Sequence, residues 1–121
     1  MPDARRLYGT QMETQAARFL EQKGFRILHY QYRTPFGEID LICQDADEIV
    51  FVEVKARQSG AYGYPEESVG PQKLKHLVRS ALAFMQTQAE NQFWRIDVIA
   101  METVPENRIT HLKAIDIPDR F

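Results

Sequence analysis

The sequence predicts an α/β domain, a mixed β-sheet flanked by helices in the order αβββαββ. Three observations point there. Two stretches repeat apolar residues at helical spacing, and five others read as strands, some by alternation and two as apolar runs interrupted by charges. The second helical stretch lies between the third and fourth strands, which permits a parallel crossover and so a mixed sheet with helices on its faces. At 121 residues, 44% of them hydrophobic, the chain has enough apolar sequence for a single domain spanning 1–121.

The first helix is expected from about Gly9 to Lys23, ended by Gly24. Its apolar stripe contains Met12, Ala16, Phe19 and Leu20, with Glu13 on or beside it. Spacing alone leaves two fates for Glu13, reaching solvent at the edge of the stripe or pointing toward the sheet. Phe25 to Tyr32 reads as a strand, with Phe25, Ile27 and His29 alternating against Arg26, Leu28, Tyr30 and Tyr32. Thr34-Pro35-Phe36-Gly37 then turns the chain into a second strand through Asp40, and a polar loop, Gln44 to Glu48, leads to a third from Ile49 to Ala56. Gln58 to Pro65 has the Gly, Pro and Ser content of a loop, with Tyr62 and Tyr64 as anchors or stacking groups. Leu74, Leu77, Val78, Ala81, Leu82 and Met85 mark a second amphipathic helix from Pro71 to about Gln88, opposite Lys75 and Arg79. Phe93 to Met101 and Ile109 to Ile117 are the last two strands, with a turn from Thr103 to Asn107.

Cys43 is the only cysteine, no apolar run approaches membrane-spanning length, and the first residues lack the apolar segment of a secretory signal. The expectation is a cytoplasmic protein with no membrane association. A formal net charge of −2 provides no global field for nucleic acid. Arg33, Lys55, Arg57, Lys73 and Arg79 nevertheless fall in or beside the elements of interest, while Asp45, Asp47 and Glu48 gather at the hairpin tip. That distribution suits a basic rim around an acidic site as well as an ordinary mixed-charge surface.

Charges interrupt the second and third strands where a core wants none. Asp40 should share a face with Glu38 and Ile42, and Glu53 with Phe51 and Lys55. Pairing Ile42 with Phe51 would set Asp40 opposite Glu53, two like charges that need a compensating cation. Lys55 can supply it, or a metal can. Carboxylate oxygens suit Mg2+ or Mn2+; zinc would call for His or Cys, and His29, His76, His111 and Cys43 are scattered.

Gly37-Glu38-Ile39-Asp40-Leu41-Ile42 followed by Phe51-Val52-Glu53-Val54-Lys55-Ala56-Arg57 resembles the signature of the YraN-like family of uncharacterised predicted endonucleases, within the PD-(D/E)xK, restriction-endonuclease-like superfamily. The match extends through Gly9 to Glu13, Lys73 and Arg95 to Val98. Met12 stands where the family usually has Gly, Gln31 where it usually has Asn, and Ile39 replaces the Pro of the superfamily's name.

The resemblance implies a restriction-endonuclease-like fold and a metal-dependent nuclease acting on DNA, branched or structured DNA included. On this chain it implies that Asp40 and Glu53 bind Mg2+ or Mn2+, helped by Glu13 and the backbone carbonyl of Val54. Lys55 would orient the attacking water or offset transition-state charge, Glu38 would stand behind the ligands, and Arg57 and Lys73 would contact phosphates. Asp97 could join the site or pair with Arg95 or Arg57. A symmetric substrate would favour a homodimer. The competing reading is a non-catalytic nucleic-acid-binding or protein-interaction module that keeps the fold.

Overall fold

Among the described residues the elements run α1 (Ala4–Gln22), β1 (Arg26–Thr34), β2 (Gly37–Asp45), β3 (Glu48–Arg57), α2 (Pro71–Met85), β4 (Phe93–Glu102) and β5 (Arg108–Leu112), the expected αβββαββ order. The structure is a computed structural model. It describes residues 4–57, 69–103 and 106–119, and within these the side chains of 11–56, 69–103 and 106–119. The loop from Gln58 to Pro65, with Tyr62 and Tyr64, lies outside the described residues. So does part of the expected turn from Thr103 to Asn107.

The strands form one mixed sheet in the order β1-β2-β3-β4-β5. Among the described strands β3 and β4 pair parallel, with α2 between them in sequence, and the other neighbouring pairs are antiparallel. Alternate residues of β3 face opposite ways. Val50 and Val52 pack with Met12, Ala16, Ala17 and Leu20 of α1, while Ile49 and Phe51 pack with Leu74, Leu77, Ala81 and Phe84 of α2. The two helices therefore cover opposite faces. No helix among the described residues is long and apolar enough to cross a membrane.

Helix α1 begins five residues before the expected Gly9, because Ala4, Arg5, Arg6 and Leu7 are good helix formers and carry Gly9 along. Its end falls where expected. Gly24 takes a φ of +96, with Gly24 N–H donating to Glu21 O and Phe25 N–H to Leu20 O, both at 3.0 Å. This is the paired closure that a left-handed glycine permits. Helix α2 stops at Met85, short of Gln88, as the Thr87 and Gln88 amides bond three residues back to Phe84 and Met85.

Strand β1 departs from simple alternation. Its pairing with β2 shifts between Ile27 and His29, so Ile27 joins the α1 core while His29 packs its ring against Tyr32 and Phe84 on the α2 side. An extra residue in one strand reverses the faces beyond it. Both hairpins close more tightly than their loops suggested. Thr34 pairs with Gly37 across Pro35-Phe36, and Asp45 with Glu48 across Ala46-Asp47. The Thr34 hydroxyl lies 2.8 Å from that of buried Ser80, tying the first turn to α2.

Asp97, fully buried on the α1 side of β4, gathers the far part of the sheet. Arg95 Nε donates to its Oδ1 at 3.0 Å, Ala114 N–H to Oδ1 at 2.9 Å, and His111 Nε2 lies 2.8 Å from Oδ2. Lys23 Nζ stands 2.7 Å from His111 Nδ1. An ammonium can only donate, so Nδ1 accepts and the proton on Nε2 faces Asp97. Arg95 continues to Glu48 and Asp45 of the hairpin at 3.0 and 2.9 Å. Asp97 thus pairs with Arg95, the structural alternative of the two expected for it. Strand β5 ends at Leu112 rather than Ile117 because Ala114, at φ +51, gives its amide to Asp97 instead of to the ladder.

Burial opposes the charge on Asp97, but His111, Arg95 and the Ala114 amide overcome it and hold its pKa below the usual range. Removing the carboxylate strands these donors, so Asp97→Ala should lower the unfolding free energy in urea by about 3 kcal/mol. A depressed carboxylate pKa contributes stability above the unfolded value that is lost on acidification. The gap between wild type and variant should therefore narrow below about pH 4. A gap that is absent, or unchanged across that range, would contradict the network's role.

Candidate metal centre

Strands β2 and β3 pair from Asp45↔Glu48 to Leu41↔Val52, with Ile42 opposite Phe51 as the sequence suggested. One further step of that register would set Asp40 opposite Glu53. There the regular ladder gives way. Ile39 and Leu41, two residues apart, belong to the cores on opposite faces, so the expected sharing of one face by Glu38, Asp40 and Ile42 does not follow from alternation. The Val54 amide, beyond the last backbone pair, donates to Asp40 Oδ2 at 2.8 Å. The carboxylate bridges the opening between the two strands.

Three elements bring acids to this opening. One ligand atom from each of Glu13 on α1, Glu38 and Asp40 on β2 falls within 4.8 Å of the others. Gly37 shapes the entry to β2 with a φ of +135, a conformation open to glycine and to few other residues. Glu53, only 3% exposed, approaches Asp40 from β3. Its Oε1 lies 3.6 Å from Lys55 Nζ and 3.5 Å from Lys73 Nζ of α2. Its Oε2 is buried and finds no hydrogen-bond partner among the described residues.

The electrostatics follow from that packing. Burial and the neighbouring Asp40 push Glu13 up to about 7, against the hydrogen bond from Gln31. The same two causes push Glu53 up to about 7, against Lys73 and Lys55. Burial also raises Asp40, opposed by the Val54 amide and Lys73. Burial disfavours the charged form of all three carboxyls, and Asp40 adds to that at Glu13 and Glu53 beyond what the neighbouring lysines offset. An all-oxygen donor set with a buried, unpartnered oxygen fits a hard divalent cation such as Mg2+ or Mn2+. Cys43 offers no alternative, since it lies in the α1 core with its thiol pushed up to about 12 by burial, Asp97 and Glu21.

The expected site residues largely come together. Glu13 and Asp40 come together with Glu38, while Glu53, held by Lys55 and Lys73, lies beside Asp40 but outside that close group, and Val54 is tied to Asp40 through its amide. Arg57 ends β3, and its side chain lies outside the described residues. Glu38, expected behind the ligands, belongs to the close acidic group, its outer oxygen 3.4 Å from Arg33 Nε. Lys73 and His76 line a cleft of about 50 Å³ with Glu38 beside the carboxylates. Sequence reasoning gave no site role to Gln31, whose Nε2 donates to Glu13 Oε2 at 2.9 Å. Its sequence signals are an amide among the aromatics of β1 and its place where the resembled family usually has Asn.

Comparison with known proteins places the sequence in a family. The sequence profile of the uncharacterised protein family UPF0102 matches residues 12–101. A UPF0102 protein of Syntrophus aciditrophicus is 46% identical over 95 residues, covering 78% of this chain and 75% of the relative. Another, from Anaeromyxobacter dehalogenans, is 42% identical and covers 93% and 85%. A third, from Caldicellulosiruptor saccharolyticus, is 38% identical and covers 92% and 95%. Among solved structures, Pyrococcus furiosus SfsA in complex with Ca2+ aligns with a TM-score of 0.40 at 18% identity, over 93% of this chain and 65% of that one. A likeness at that level transfers neither ligand nor activity.

A carboxyl whose folded pKa exceeds its unfolded value contributes stability below the unfolded value that is lost as pH rises through the folded one. For Glu13 and Glu53 that window runs from 4.5 to about 7. Metal-free protein should therefore lose on the order of 5 °C in Tm between about pH 5 and pH 8. Millimolar Mg2+ or Mn2+ should restore more of it at the higher pH. Calorimetric scans showing a flat Tm and no metal-dependent difference between the two pH values would remove the electrostatic case for a cation.

Proposed function

We propose that this chain, which belongs to the uncharacterised protein family UPF0102, is a metal-dependent nuclease hydrolysing phosphodiester bonds in DNA, branched or structured DNA included. The observation that carries the reading is Glu53. Its carboxylate is buried beside Asp40, one oxygen is shared by two lysines, and the other has no partner among the described residues. A purely structural acid in that position would be expected to have both oxygens satisfied.

Asp40, Glu53 and Glu13 are the residues that would hold Mg2+ or Mn2+, with Glu38 close by and the Val54 carbonyl as a backbone donor. When bound, the metal supplies Lewis acidity for the phosphate and a lower pKa for an attacking water. Asp40 is kept in place by the Val54 amide, which fixes its carboxylate at the opening without rotamer search. Lys55, one-third exposed and 3.6 Å from Glu53, carries its charge to the solvent side of the carboxylates. There it orients water or offsets charge accumulating on the phosphate oxygens. Lys73, more exposed and on the opposite helix, would receive a flanking phosphate. Arg57, at the end of β3, is assigned the same role from its sequence position.

Labelled duplex, single-stranded, flap and four-way-junction DNA, with RNA counterparts, should be incubated with wild type and with Asp40→Ala and Lys55→Ala in Mg2+ and in Mn2+. Wild type is expected to cleave at least one DNA substrate. Each variant, folded by circular dichroism, should lose about 100-fold or more in rate. Cleavage that the variants retain, or none by any protein, would instead favour a binding module that keeps the fold without its chemistry.

A further inference from the structure

We infer that Gln31 is a positioning residue of the metal centre, holding the Glu13 carboxylate within reach of Asp40 through its side-chain amide. The inference rests on the metal-centre reading and assigns it a component from β1, a strand to which no functional residue had been given.

The backbone is the first ground. Four non-glycine residues among those described have positive φ, namely Gln31, Ala46, Asn91 and Ala114. Ala46, Asn91 and Ala114 lie in turns or bends; Gln31, at φ +48, lies inside a strand. A left-handed residue within a strand costs free energy for any side chain other than glycine, and glutamine gains none of the local compensation open to Asn or Asp. Such a conformation persists where surrounding structure imposes it, and it is found preferentially at functional sites.

Its place in the sheet is the second. Tyr30 pairs with Leu41 and Tyr32 with Ile39, so Gln31 lies across from Asp40, the residue at which β2 also breaks its alternation. The two irregularities face each other. The contact made there is from Gln31 Nε2 to Glu13 Oε2, at 2.9 Å.

That contact meets a specific need. Asp40 is anchored by the Val54 amide and Glu53 by two lysines, whereas Glu13 arrives on a helix, with a flexible side chain that meets another carboxylate in Asp40. Solvent at the edge of α1 is its alternative. An amide donor restrains the carboxylate without contributing the positive charge that a lysine would bring, and so leaves the cation's place open. Partners of this kind orient metal ligands, and losing one commonly weakens metal binding by about 10-fold or more.

The test is Mn2+ affinity by isothermal titration calorimetry on the full chain, with Tm measured alongside. Gln31→Met keeps the side chain's length without the amide; Gln31→Gly also relieves the left-handed backbone. Both should bind Mn2+ about tenfold more weakly than wild type, while Gln31→Gly retains or exceeds the wild-type Tm. In a Glu13→Gln background, itself weaker, adding Gln31→Met should change Mn2+ affinity less than about twofold, because the residue acts through Glu13. Wild-type affinity in both single variants, or an undiminished loss in the Glu13→Gln background, overturns the inference and leaves the metal centre standing. Failure of wild type to bind Mn2+ overturns the metal centre and the inference with it.

Discussion

Carboxylates brought together away from water repel one another, and meeting that repulsion at Asp40 is the condition on which the local structure depends. Strand β2 gives up its regular alternation there, β3 donates a main-chain amide to a side chain instead of to its neighbour, and two lysines from different elements converge on Glu53. These departures are tolerable because the sheet is clamped on both faces. Val50, Val52, Ile49 and Phe51 of β3 are almost wholly buried against α1 and α2. At about 25 cal/mol per Å² of apolar surface, such burial holds the strand in place whatever happens at its charged end.

The same sheet contains a buried acid treated in the opposite way. Asp97 is as inaccessible as Glu53, yet it receives Arg95, His111 and the Ala114 amide, and its pKa falls. Glu53 has two lysines at 3.5 and 3.6 Å on one oxygen and, among the described residues, no hydrogen-bond partner on the other, and its pKa rises. Burial is common to both, so burial does not distinguish a structural acid from a functional one. The difference is in the satisfaction of each oxygen. A chain able to surround Asp97 so fully leaves Glu53 half served beside Asp40, itself one of three carboxylates that converge, which is the pattern expected of a site completed by something outside the chain.

Much of this was legible beforehand, and the residues say why. The element order follows from periodicity and from a glycine, Gly24, that ends α1 by its φ. The Ile42–Phe51 register follows from matching apolar faces across a short polar turn. Asp40, Glu53 and Lys55 stand out because charges in apolar strands need a reason. Illegible were the places where the backbone leaves its regular period: the shift between Ile27 and His29, and the left-handed Gln31. Period-two reasoning assigns faces only while the period lasts, so it misplaced His29 and gave Gln31 no role. It also kept Glu38 behind the ligands, because the break at Asp40, which brings its carboxylate forward, is a tertiary event.

Net charge proves a poor guide to the field that a substrate would meet. The value of −2 counts Asp45 and Glu48 equally with Asp40 and Glu53, but the hairpin acids are matched by Arg95 at 2.9 and 3.0 Å. Asp45 also lies five residues along β2 from Asp40, and Glu48, paired with it, five along β3 from Glu53, about 17 Å at strand rise, beyond the Debye length of about 8 Å at physiological ionic strength. Near the opening, Lys55 and Lys73 remain substantially exposed and Arg33 more so. The surface around the carboxylates is therefore more basic than the sum of charges implies. An anionic backbone approaching it would meet cations at the rim and, with the acids neutralised by a divalent ion, little net repulsion at the centre. The weak global charge is consistent with a protein that binds locally and briefly, as an enzyme must to release its product, and it does not argue against a nucleic-acid substrate.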